Sequence, residues 1–335
     1  MKQIIRQFVP PILYKGAAVT KRWITKKSGP KTVLHLPANK ENKGDSPYDF
    51  IIMKTSEDID KFIQKTDEAA EISDDELRKV FSKYHCDYPF DMPDDPYSDE
   101  YYSKVMEMYK TISGRTEYLP YQDEKSPFDF EAAKFNSFPY STQSYTTIGD
   151  QIIAQGFLIK MMQLKSGSSV LEFGPGWGET TLHFARAGYK VTAVDIEPAF
   201  LNLIKFKCEL NKKHVEVYHS DMLEFTSDTK YDAVVFYECF HHCFQHTEML
   251  QKLNKLIIKD GIIVFAGEPI ANIFPYPWGI RLDGQSVWSI RKFGWMELGF
   301  TDNYFFETLK KYGWSCKKYI SHDCPWQSVI IAKRC

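Results

Sequence analysis

The sequence predicts an α/β fold. It has a doubly wound, mostly parallel sheet closed by an antiparallel C-terminal hairpin, plus a mainly helical N-terminal region. Three observations predict it. From residue 148 onward, short apolar runs alternate with amphipathic stretches, and such alternation demands a parallel sheet with helices on both faces. At its head stands VLEFGPGWGETTLHFARAGYKVTAVDIEP, residues 170–198: strand, glycine turn, helix, strand, and an acid at the tip. At its end, WSCKKYIS and QSVIIAKR are joined so tightly that they must pair antiparallel.

The elements follow in order. Val170, Leu171 and Phe173 form an apolar run too short for a helix, hence a buried strand at 170–173. A helix at 179–187 offers Leu182, Phe184 and Ala185 to the sheet, and Gly188 stops it. Val191, Ala193 and Val194 make a second strand, 191–195, ending on Asp195. Helix 198–211, strands 215–218 and 232–237, helix 246–258, strand 261–266 and helix 303–312 continue the pattern. A helix at 148–162 leads into it. Upstream, residues 54–83 read as two helical pieces with Ile59, Phe62, Ile63, Leu77, Val80 and Phe81 facing inward. Residues 98–112 form a helix closed by Gly114, while TVLHLP and YDFIIM are strand-like. Residues 115–147 are irregular, aromatic and proline-spaced. The chain thus divides into an N-terminal region, 1–139, and a domain, 140–335, with an aromatic insertion at 267–300.

Composition bounds the function. A 43% hydrophobic and 26% charged content is ordinary for a globular protein, and a net charge of -2 gives no electrostatic case for nucleic acid. The seven cysteines show no CxxC pair, as expected of reduced thiols in a cytoplasmic protein. Residues 1–31 hold eight Lys and Arg and no acid, interleaved with Ile4, Ile5, Phe8, Val9, Ile12 and Leu13. That pattern suits peripheral contact with an anionic membrane, and equally a packed basic arm. Pro10 and Pro11 break the apolar run, so it is neither signal peptide nor membrane span. Its VPPIL core is similar to the start of some bacterial glycan-biosynthesis proteins.

The glycine turn carries the chemistry. Glu172, Gly174, Gly176 and Gly178 give E-x-G-x-G-x-G, letting the backbone turn tightly and a ligand lie against its peptides. Asp195, at the next strand's tip, can accept from both ribose hydroxyls. The spacing departs from G-x-G-x-x-G, and Glu172 beside the loop suits a cationic ligand and would repel a pyrophosphate. These residues resemble the motif of class I S-adenosylmethionine-dependent methyltransferases, whose cofactor carries an ammonium and a sulfonium and no phosphate. The resemblance covers roughly residues 140–335. It implies a Rossmann-like sheet and S-adenosylmethionine as cofactor, with Ile196 and Phe200 flanking the adenine. It also implies that Asp221 accepts from the adenine amine while Met222 packs on the ring; Asp221 as a helix cap is a compatible alternative. Tyr140 and Thr142 lie in a segment that, in similar enzymes, closes over the methionine end.

Strand 232–237 delivers Glu238, Cys239, Phe240, His241 and His242 at its C-terminal edge, where ligands bind in open α/β sheets. Methyl transfer to a hydroxyl needs a proton acceptor, and histidine suits that role. His242 is favoured over His241 because the chain after it already turns toward the next helix. Glu238 orients the imidazole or holds an acceptor hydroxyl; solvated loop histidines are the alternative. Glu238, His241, His242 and His246 form a rival ligand set for a divalent ion, but direct transfer needs none and no metal is expected. In the insertion, Trp278, Trp288, Trp295, Tyr276, Phe274 and Phe293 alternate with Arg281, Asp283, Arg291 and Glu297. This suits stacking on a sugar ring and hydrogen-bonding its hydroxyls, or an aromatic mini-core. The expected activity is methyl transfer to an oxygen of a glycan or small polar metabolite. The alternatives are a lipid-linked or quinone-like acceptor, or a non-catalytic cofactor-binding subunit. Nucleic-acid amino methylation is disfavoured, because FYEC stands where a D/N-P-P-Y/F clamp would be.

Overall fold

The computed structural model describes residues 50–87, 90–136, 145–324 and 327–335. The basic segment 1–31, TVLHLP, and Tyr140 and Thr142 lie outside the described residues. The chain opens with strand β1 (Ile51–Met53), helices α1 (Ser56–Ile72) and α2 (Asp74–Phe81), strand β2 (Tyr84–Cys86) and helix α3 (Asp99–Ser113). Local chemistry starts and stops these helices. Thr55 and Asp58 form a capping box at α1, and Gly114, at φ 72°, closes α3. Two short helices, α4 (Pro120–Asp123) and α5 (Phe130–Ala133), interrupt the irregular stretch before α6 (Tyr145–Met162).

The alternating half follows as the sequence predicts: β3 (Ser169–Phe173), α7 (Glu179–Arg186), β4 (Lys190–Asp195), α8 (Pro198–Leu210), β5 (Glu216–His219) and β6 (Tyr231–Tyr237). A short 3-10 turn, Phe240–His242, leads to α9 (His246–Leu256) and β7 (Ile257–Ala266). This strand begins earlier than expected, because β-branched Ile257 and Ile258 extend better than they coil. Helix α11 (Asp302–Lys311) and strands β10 (Trp314–Ile320) and β11 (Ser328–Arg334) close the fold. The seven-stranded sheet runs β10-β11-β7-β6-β3-β4-β5, with only β11 antiparallel to its neighbours. From β3 the chain winds first toward β5 and then, through β6, the other way. The switch point is therefore the crevice above the C-terminal ends of β3 and β6, where open α/β sheets bind ligands.

The insertion folds as β8 (Trp278–Ile280), α10 (Gly284–Phe293) and β9 (Leu298–Phe300), and it packs on the N-terminal region. Tyr101 Oη donates to the Trp278 carbonyl at 2.7 Å, Tyr109 Oη to that of Gly294 at 2.6 Å, and the Cys86 N–H to that of Leu282 at 2.8 Å. One apolar core joins these elements to one face of the sheet, and α6, α7 and α8 cover the other. The sugar-stacking expectation fails here for a physical reason: Trp278 and Trp288 are large apolar groups, and both are buried in that core.

Candidate functional site

A cavity of about 370 Å³ lies at the switch point. Its floor is the loop after β3. Gly174 and Gly176 adopt φ 57° and 51°, in the left-handed region that favours glycine. A Cβ on Gly174 would meet Cys239 Cβ at 2.6 Å, so the loop and the β6 tip approach too closely for a side chain. A Cβ on Gly176 would meet nothing within 4 Å, because it points into the cavity. Asp195 ends β4, buried, with Oδ2 accepting the Gly176 N–H at 3.1 Å and Oδ1 accepting the Glu197 N–H at 2.8 Å. Burial pushes its carboxyl up to about 6. Ile196, Phe200, Asp221 and Met222 border the same space.

Two expected cofactor residues sit behind this floor rather than on it. Glu172 is buried beneath the loop, accepting from Thr181 Oγ1 at 2.6 Å, and burial lifts its carboxyl to about 8. It pins α7 to β3 instead of facing a cation. Gly178 precedes α7, where a Cβ would strike Ile204 at 2.4 Å, so its closest neighbour is helix α8. A buried pair supports the turn from outside: Lys207 Nζ contacts Glu179 Oε1 at 2.6 Å and donates to the Trp177 carbonyl at 3.1 Å.

The tip of β6 supplies the second wall. Glu238 adopts φ 53°, an uncommon conformation for a residue with a side chain. Its Oε1 accepts from Gln327 Nε2 at 2.6 Å, and burial, with the nearby Glu268 charge, pushes its carboxyl up to about 8. Glu268, just after β7, accepts the N–H groups of Cys239, Phe240 and His241 at 2.9, 2.9 and 3.1 Å, and its Oε2 lies 2.8 Å from His241 Nδ1. It thereby fixes the whole turn. Burial would raise the Glu268 carboxyl, but His241 and these N–H groups hold it below its ordinary value. His242 lines the cavity, whereas buried His241 does not.

The His242 ring is held by charge. Its Nδ1 lies 3.1 Å from Glu124 Oε2, an ion-pair contact without an aligned hydrogen bond. Burial pulls the imidazole down, but Glu124, with Glu297 and Glu268 behind it, lifts it to about 9. His246 turns away into the core, where Nε2 meets Tyr304 Oη at 2.7 Å and burial drops it to about 3. The four-residue metal set therefore does not assemble. Donor atoms of His241, His242 and Glu297 do come within 4.8 Å of one another, but Arg281 Nη1 reaches Glu297 Oε2 at 3.4 Å and brings a positive charge there.

Trp278, Arg281, Asp283, Trp288 and Arg291 do not reach this cavity. The two tryptophans are core. Arg281 is buried between Asp283 and Glu297, and Asp283 caps α10. Arg291 reaches back to Asp60 on α1 at 2.6 Å. Of the insertion's aromatics named for stacking, Trp295 does line the cavity, together with Tyr118, Tyr121 and Glu124 from the irregular stretch. Tyr121 Oη accepts the Asp221 N–H at 3.0 Å and donates to Glu224 at 2.6 Å, tying that stretch to the loop after β5. The aromatic, proline-spaced composition of 115–147 was the one signal pointing there.

Residues 170–261 match a family model described as a methyltransferase domain. The chain is 25% identical over 148 residues to pavine N-methyltransferase of Thalictrum flavum subsp. glaucum, covering 43% of this chain and 41% of that protein. It is 30% identical over 128 residues to (S)-coclaurine N-methyltransferase of the same plant, covering 37% and 36%. It is also similar to the structure of the N-methyltransferase NodS from Bradyrhizobium japonicum WM9 with S-adenosyl-l-homocysteine. That likeness has 14% identity and a TM-score of 0.41, and covers 61% of this chain and 95% of that one. The chain spans less than half the length of the curated relatives it matches first. The cavity fits the cofactor that the glycine motif implies: an open glycine floor for a ligand's backbone-hugging edge, a carboxylate at the tip of β4, and Asp221 and Met222 in the same lining. The glycine turn and the strand order are those expected from the sequence motif, and residues 170–261 carry the match to a methyltransferase domain.

Proposed function

We propose that the chain methylates an oxygen of a small polar acceptor, such as a glycan hydroxyl, with His242 as proton acceptor. The observation that carries this reading is the place of His242, which lines the switch-point cavity together with Glu238, Gly174 and Gly176. Gly174, Gly176, Asp195, Asp221 and Met222 would hold S-adenosylmethionine, which would supply an electrophilic methyl on its sulfonium. The chain's part is to hold the acceptor hydroxyl in line, exclude water, and take its proton on His242 Nε2, since Nδ1 is buried against Glu124. Glu238 offers a second carboxyl for orienting the hydroxyl. With its imidazole near 9, His242 acts through its neutral fraction, so turnover should climb as pH rises toward that value.

An amine acceptor is the second reading. Glu124, Asp195, Asp221, Glu224, Glu238 and Glu248 border the cavity, and no Lys or Arg does among the described residues. Two matched relatives are named N-methyltransferases. We place the chain in the cytoplasm, at the inner membrane surface if residues 1–31 bind lipid. The test is incubation with methyl-labelled cofactor and cell extract fractionated into lipid, glycan and small-molecule pools. Label in the glycan or small-molecule pool, lost by about 10²–10⁴-fold in His242→Ala, is expected. Label confined to lipid would favour the lipid-linked acceptor. No label in any pool, despite cofactor binding, would favour a non-catalytic subunit.

A further inference from the structure

We propose that Glu124, which lies outside the matched methyltransferase domain, is the positioning residue for His242: its carboxylate fixes the ring and steadies the imidazolium formed on proton transfer. This rests on the proposed role of His242. The geometry is that of an anchored base partner. Glu124 follows α4, and its Oε1 accepts from Tyr118 Oη at 2.8 Å and from the Met296 N–H at 2.7 Å. Its Oε2 is left as the oxygen beside His242 Nδ1, 3.1 Å away. Tyr118 Oη also reaches the His242 carbonyl at 3.4 Å, so the same stretch holds both the backbone and the ring.

The elements around His242 divide the work. His241 stacks beside it at 4.3 Å between ring centres, with Nδ1 already committed to Glu268, and Trp295 meets the His242 ring edge-on at 5.9 Å. Glu297 adds negative charge but is held by Arg281 at 3.4 Å. Among the described residues, Glu124 is the carboxylate within ion-pair reach of His242. Holding Nδ1 against a carboxylate leaves Nε2 as the nitrogen that an acceptor can meet, and a buried imidazolium beside that carboxylate is far better tolerated than an isolated one. The arrangement also makes proton transfer depend on the irregular stretch and the insertion, which meet at the Glu124–Met296 bond.

The test is an NMR titration of His242 in the full-length chain, assigned by comparison with His242→Ala and repeated in Glu124→Gln and Glu124→Asp. Gln keeps an oxygen for Tyr118 and Met296 but loses the charge. In the wild type His242 should titrate near 9, and Glu124→Gln should bring it down by about two pH units, toward its ordinary 6.5. Glu124→Asp should recover part of the shift. Wild-type titration near 6.5, or an unchanged titration in Glu124→Gln, would overturn the proposal. Absence of S-adenosylhomocysteine binding in the wild type would instead count against the methyltransferase reading, and the titration would still decide whether the pair exists.

Discussion

Gln327 Nε2 donates to Glu238 Oε1 at 2.6 Å, so the hairpin that closes the sheet holds the acid at the tip of its central strand. The same amide nitrogen lies 3.4 Å from Tyr237 Oη, which donates to Gln151 Oε1 at 2.8 Å. A polar chain thus runs from α6 to the cavity. Gln151 and Gln327 are buried, Tyr237 and Glu238 are half-buried, and Glu238 carries a left-handed backbone that its surroundings must maintain.

Replacing Gln327 with Leu should therefore strip Glu238 of its donor. We expect a loss of about 1–2 kcal/mol in denaturant-measured stability, since a half-buried acceptor loses its donor. Turnover should fall more than cofactor affinity. Unchanged stability and turnover would show that Glu238 does not depend on the hairpin.

The Lys207–Glu179 pair predicts a larger effect. Both side chains are buried, and Lys207 also reaches the Trp177 carbonyl within the glycine turn. Lys207→Met should cost about 3–5 kcal/mol, because Glu179 is left as an uncompensated buried charge. The double variant Lys207→Met/Glu179→Leu should recover most of that loss. A single variant within about 0.5 kcal/mol of wild type would mean that the pair contributes nothing net.

Stability should fall as pH rises through the weakly alkaline range. His242 has a raised folded pKa, so its contribution is complete below 6.5 and is lost as pH climbs through about 9. Glu172 and Glu238 are carboxyls lifted from 4.5 to about 8, so the fold favours their protonated forms and loses stability as pH rises through that window. All three act in one direction between pH 6.5 and 8. Thermal melts of the ligand-free chain should therefore drop across pH 6.5 to 9, and a flat or rising profile would contradict these environments.

The sheet was legible because its strands are short apolar runs punctuated by glycine and acids, a pattern that local sequence carries by itself. The floor of the cavity was legible for the same reason: Gly174, Gly176, Asp195 and Asp221 sit at strand ends whose positions the pattern fixes. Whether a residue faces the ligand or the core was harder to see. Glu172 lies one step from the glycine turn but on the buried face of β3, and Trp278 and Trp288 look like a sugar platform until the N-terminal helices cover them. Glu124, Glu268 and Gln327 were invisible. Each acts on the β6 tip from a distant segment, and nothing in its own neighbourhood announces the partner. The irregular stretch 115–147 showed its aromatic character and not its destination.

The most direct measurement of the central claim is calorimetric titration of the full-length chain with S-adenosylhomocysteine, beside Asp195→Asn and Gly176→Val. The wild type should bind one equivalent. Asp195→Asn should lose about 1–3 kcal/mol of binding energy through weakened charge-assisted hydrogen bonds. Gly176→Val should not bind, because its side chain would fill the open floor at a φ of 51° that valine resists. No binding by the wild type, or undiminished binding by Gly176→Val, would contradict the assignment of this cavity to the cofactor.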